Sequence, residues 1–129
     1  MKTHHILTLA FVFAFTAFRA QAGKPFPVDR LNQEYWQGLD PKTKIVFLTA
    51  YRHAKGPNPD ENEKPDFRDL KTENYPALAA KLDQFYKDTA NKHVFVSAAI
   101  GICYMEMSGK PQADIDKAIK EARDVISQF

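Results

Sequence analysis

The chain has one cysteine, five glycines and one tryptophan among its 129 residues. A small exported domain held by disulfides needs an even set of cysteines, so this one has to rely on an apolar core. Cys103 falls inside an apolar helical pattern and reads as a small buried hydrophobe. So few glycines leave no glycine-rich phosphate loop, and no Gly-x-Ser-x-Gly turn offers a serine nucleophile. Zinc needs three or four ligands from His, Cys, Asp and Glu. Beyond the N-terminal segment the imidazoles are His53 and His93, far apart in sequence, so no metal site is expected. Asp60 and Asn62 echo a calcium loop, but its central glycine and terminal glutamate are missing. Asp114, Asp116 and Asp124 read as surface charge. With no catalytic set and no cofactor motif, the expectation is a protein that is not an enzyme.

The N-terminus has a different character. Lys2 precedes an apolar run at residues 6–18, and Ala20-Gln21-Ala22 fits a small-x-small cleavage pattern. This predicts a signal peptide over 1–22, cut after Ala22, and a periplasmic or secreted protein. The run is shorter than the roughly 20 residues of a membrane span, and no later segment is longer, so no span is expected in the mature chain. Its removal takes Lys2 and Arg19 from the 18 basic residues, which leaves a formal balance with the 16 acidic ones. The apparent basicity therefore gives no support for a nucleic-acid partner. Residues 23–129 remain, enough for a single domain that buries about two-thirds of its unfolded surface.

Five helical patterns follow. Residues 23–28 carry Pro25 and Pro27 and read as an extended arm, and Asp29 is placed to cap a helix over 30–39 with Leu31, Tyr35 and Trp36 on its inner side. Asp40 followed by Pro41 is a clear helix start, and Gly56 is the matching stop. Residues 56–69 hold three prolines and several acids, which marks a long exposed connection that Phe67 and Leu70 tack back onto the core. A third helix begins near Tyr75 with Pro76 in its first turn. Leu78, Leu82, Phe85 and Tyr86 share its inner face, and Asp83 and Lys87 pair on the outside. The fourth helix runs over 96–108 with Ser97 as N-cap and Val96, Ala99, Ile100, Cys103 and Met107 inward. The last follows Pro111 with Ile115, Ala118, Ile119, Ala122, Val125, Ile126 and Phe129 at helical spacing. The fold class is all-α, a small bundle of four to five helices with one long Pro-rich loop.

Between the third and fourth helices the segment LDQFYKDTANKHVFV crowds Asp88, Asn91 and His93 at a corner. Asn91 is a natural left-handed helix stop. Asp88 at a helix C-terminus opposes the dipole, so it should bond a specific group, either a backbone N–H of the turn or a basic neighbour.

FLTAYRHAKG, followed at a distance by this same segment, resembles small secreted bacterial helical proteins, in particular the immunity proteins that neutralise type VI secretion effectors. The resemblance rests on Ala50, Tyr51 and the terminal Gly56 of one helix, then on Phe85-Tyr86 before a polar turn, and it covers residues 41–107. Those proteins carry cysteine pairs, whereas Cys103 stands alone. The resemblance implies a toxin-neutralising protein that works by binding another protein. Tyr35 and Trp36 are candidate partner contacts, because adjacent helical side chains point about 100° apart and exposed rings are frequent hot spots. Asp88, Asn91 and His93 are candidates at the corner. The alternative is a carrier of a small apolar ligand in a cavity lined by Tyr51, Phe85, Tyr86 and Met107.

Overall fold

The computed structural model describes residues 30–59 and 66–128. The expected signal segment, the arm at 23–28, the Asp29 cap, the middle of the long loop and Phe129 lie outside the described residues. Among those described the chain is all-α and has no strand. It forms α1 (Gln33–Gly38), α2 (Pro41–Lys55), α3 (Tyr75–Phe85), α4 (Val96–Met107) and α5 (Gln112–Ile126). No helix among them is long and apolar enough to cross a membrane.

The start and stop of α2 follow its sequence. Asp40 accepts from the Thr43 backbone N–H at 3.0 Å and from the Thr43 hydroxyl at 2.6 Å, and these bonds hold its carboxyl below the usual range. Pro41 takes the first helical position and Gly56 ends the helix at φ 71°, a conformation that favours glycine. The far end of the loop is anchored as expected. Phe67 is buried, and a 3₁₀ turn over Phe67–Asp69 is closed by Asp66 and Asp69 in a capping box.

Helix α1 is shorter than the 30–39 pattern predicts. Asn32, with extended backbone, caps it, and the residues around this cap bond to the segment that joins α3 to α4. The Leu31 carbonyl accepts from Val96 N–H at 2.6 Å, Gln33 N–H donates to the Lys92 carbonyl, and Gln33 Nε2 donates to the Tyr86 carbonyl at 2.6 Å. The same contact explains why α4 needs no side-chain cap. Phe95, not Ser97, stands at its N-cap position, and Leu31 satisfies its first N–H.

Helix α3 ends at Phe85, a turn earlier than the sequence suggests. The buried Asn91 side chain donates from Nδ2 to the Phe85 carbonyl at 2.8 Å and takes the acceptor that another helical turn would have used. Asn91 is not left-handed. It lies in a 3₁₀ turn over Thr89–Asn91, and positive φ among the described residues is confined to Gly56 and Gly109. Helix α5 packs against α4, burying Ile115 and half-burying Ala118, Ile119, Ala122 and Ile126. The expected stripe is too wide by one residue, since Val125 is 47% exposed.

The core joins Trp36 of α1, Leu48 and Tyr51 of α2, Tyr75, Leu78, Leu82 and Phe85 of α3, and Val96, Ile100 and Cys103 of α4. Tyr75 is fully buried, and its hydroxyl has no hydrogen-bond partner among the described residues. An orphaned buried hydroxyl costs about 1–3 kcal/mol. Tyr75→Phe should therefore keep the ring packing and raise stability by about 1 kcal/mol; urea denaturation showing a clear loss would mean the hydroxyl has a partner.

Cys103 is buried, and burial first, then the Glu106 carboxylate, pushes its thiol from the ordinary 9.0 up to about 12, with Lys81 opposing. The unfolded chain releases this proton near pH 9 while the folded chain keeps it. Above that pH the folded state binds more protons, so stability falls as pH rises between about 9 and 12. Urea midpoints across that range should fall more gently for Cys103→Ala than for the parent chain. Parallel declines would contradict the linkage.

Candidate functional site

The corner residues meet α5. Asp88 accepts from Ala90 N–H at 2.9 Å and caps the 3₁₀ turn, while its other oxygen accepts from Arg123 Nη2 at 2.9 Å. Arg123 Nε donates to Asn91 Oδ1 at 2.9 Å. Asp88 thus bonds both a backbone N–H and a basic neighbour, and Asn91 uses its amide to join α3, the turn and α5. His93 is exposed beside them. A shallow concavity of about 410 Å³ lies alongside, lined by Asp88, Asp116, Ile119, Lys120, Arg123 and Asp124. Its cations are already engaged: Lys120 pairs with Asp124 at 2.6 Å and Arg123 with Asp88. Among the described residues no group of His, Cys, Asp and Glu could hold a metal ion.

Trp36 is fully buried and so offers no surface to a partner. Its Nε1 donates to Asp83 Oδ1 at 2.8 Å. Lys44 Nζ donates to the same oxygen at 2.8 Å and lies 5.2 Å from the indole centroid. Asp83 therefore bonds across the bundle to α1 and α2 and does not pair with Lys87. Tyr35, its neighbour, stays half-exposed with its ring 5.8 Å from Phe47, and burial raises its pKa.

The four residues proposed for an internal cavity do not converge. Lys44 of α2 meets Asp83 of α3, and Tyr51 lies seven residues further along α2, roughly 10 Å away at 1.5 Å per residue. There its ring stacks on Phe67 at 5.3 Å. Phe85 and Tyr86 pack edge to face on each other at 5.3 Å, past Asp83 at the other end of α3, and the Tyr86 hydroxyl donates to the Val94 carbonyl at 2.8 Å. Met107 is half-buried at the end of α4, whose neighbouring Glu106 pairs with Lys81.

A different surface stands out on α2. Leu48 and Tyr51 point into the core, Ile45 and Phe47 are half-buried, and Thr43, Val46, Ala50 and Ala54 line the exposed side, with Val46 at 39%. The spacing 43, 46, 50, 54 makes one continuous helical stripe. Behind it Phe47 is the hub of a ring cluster, 6.1 Å from Trp36 edge-on and 6.1 Å from Tyr51 in a stack. Exposed Lys42 and His53 flank the stripe on one side. On the other side Lys55 Nζ lies 5.3 Å from the Tyr51 ring. The fifteen residues of α2 include Lys42, Lys44, Arg52 and Lys55 and no acid. By contrast, exposed Val125 follows Asp124 and lies one turn from Glu121, on a helix whose exposed side is charged.

Sequence reading marked Tyr35 as a candidate contact by its residue type and used Ala50 only in the resemblance. It missed Val46, Ala54 and the flanking cations, although the absence of acid from residues 41–55 is plain in the sequence.

Arg123→Ala would leave the Asn91 carbonyl oxygen without its donor and Asp88 without its counter-ion. The expected loss of stability is about 1–3 kcal/mol, with faster hydrogen exchange in α5. An unchanged urea midpoint would show that α5 holds without the latch. No family model, curated protein or solved structure matches the chain.

Proposed function

We propose that the protein acts without catalysis, by binding another protein through the outward face of α2. The observation that carries this reading is the uncharged stripe Thr43–Val46–Ala50–Ala54, exposed on a helix with defined ends and cationic residues beside it. Apolar surface rimmed by polar groups is the usual mark of a protein contact site. The stripe is preorganised, since Asp40 and Gly56 define the ends of α2 and the Phe47 ring cluster supports it from behind, so little ordering is lost on binding. Tyr35 extends the surface as a half-exposed aromatic anchor. The sequence signals at residues 1–22 favour a periplasmic or secreted site of action. The resemblance to secreted immunity proteins favours a toxin-neutralising role, in which a rigid preformed face blocks an effector. The carrier reading has less support, because its proposed lining residues pack on different neighbours and do not converge on one cavity.

The test is site-specific photocrosslinking in the producing cell. A benzoylphenylalanine in place of Ala50 should capture one protein, while the same probe in place of Lys117 on α5 captures none. Ala50→Glu in the otherwise unmodified chain should leave stability within about 0.5 kcal/mol and abolish capture through a probe at Val46. Equal capture from both helices, or capture from α5 alone, would overturn the assignment.

A further inference from the structure

Resting on that reading, we infer that the partner offers α2 an acidic helical segment, with small or apolar residues on its contact side and Asp or Glu along its edges. Charge is the first argument. Residues 41–55 carry four Lys or Arg and no acid, although acidic and basic residues nearly balance over the whole chain. Among the described residues only Lys44 of these four has an ion-pair partner, Asp83. Lys42 and Lys55 stand exposed on opposite flanks of the stripe. Among the described residues the one acid beside the stripe is the capping Asp40, held by Thr43 at its N-terminal end, so the excess of cations along α2 steers and selects an acidic partner and disfavours a basic one.

Shape is the second argument. Thr43, Ala50 and Ala54 are small, and Val46 is the largest side chain directed outward from the stripe. Small residues at i, i+3, i+7 and i+11 let another helix approach closely, with ridges packed into the grooves between them. From 43 to 54 the stripe is about 16 Å long at 1.5 Å per residue, which matches three turns of a partner helix. The large rings of α2 are turned inward or sideways: Tyr51 is buried, and Phe47 packs on Trp36, Tyr35 and Tyr51. A helix that inserts into an anionic membrane points Trp, Phe or Leu outward. The basic flank alone would suit a lipid surface, but the small-residue stripe does not.

The experiment is a titration of the isotope-labelled chain with three probes, followed by amide chemical shifts. The first probe is an 18-residue Leu/Ala helix edged with Glu, the second the same helix edged with Lys, and the third phosphatidylglycerol vesicles. The expected result is movement of the Thr43, Val46, Ala50 and Ala54 signals with the Glu peptide, with at least tenfold weaker binding for the double variant Lys42→Glu, Lys55→Glu. That variant should instead bind the Lys peptide, which also shows that it is folded. If both peptides move the α2 signals equally, the acidic preference is overturned while α2 stands as the binding face. If the Glu peptide moves only other parts of the chain, or no peptide moves α2, both readings fall. Response to the vesicles alone would replace the protein partner with a lipid surface.

Discussion

One carboxylate oxygen sets the geometry on which the rest depends. Asp83 Oδ1 of α3 accepts from the Trp36 indole of α1 and from the Lys44 ammonium of α2. Three helices are thereby brought to one point, and Lys44 covers the indole face while it does so. Hydrogen bonds to a charged group contribute about 1.5–3 kcal/mol each, toward the lower end here because Asp83 is 46% exposed. The larger contribution is positional. With Trp36 sealed in the core, Phe47 rests on its edge, and Phe47 sets which side of α2 is turned outward. The exposed stripe is a consequence of that arrangement.

A second polar cluster does the same just beyond Asp83, at the C-terminus of α3. Asn91 closes α3 through the Phe85 carbonyl, and Arg123 joins Asn91 and Asp88 to α5. In that cluster the polar groups satisfy one another, as buried and half-buried polar groups must. This separates it from α2. At the corner Asp88 and Arg123 are paired within the fold; on α2 Lys42 is exposed and Lys55 lies over the Tyr51 ring, neither with an ion-pair partner among the described residues, beside a surface of small side chains. Two regions of similar polarity in the sequence therefore differ: one is satisfied within the fold, and the other is the face proposed for recognition.

The helices were legible because their ends are chemical signals: Asp40-Pro41 and Gly56 for α2, Pro76 for α3, and Pro111 for α5. Inner faces were legible from spacing, as for Leu78, Leu82, Ile100 and Cys103. What escaped was every choice between a local and a distant partner. Asp83 had Lys87 one turn away but bonds Lys44, and Asn91 had the backbone role of a left-handed stop but takes a buried amide bond. Local periodicity contains no information about a residue 39 positions distant. The proposed binding surface was half legible for the same reason. Tyr35 was marked by its residue type, whereas Val46 and Ala54 gain meaning only once Leu48 and the ring cluster fix the rotation of α2.

The most direct test of the account is hydroxyl-radical footprinting of the chain with and without its captured partner, read by mass spectrometry at individual side chains. The account predicts reduced oxidation at Tyr35, Val46 and Phe47 in the complex, with His93 and Val125 unchanged. Protection confined to His93 and the α5 surface, with the α2 stripe as reactive as in the free chain, would contradict it.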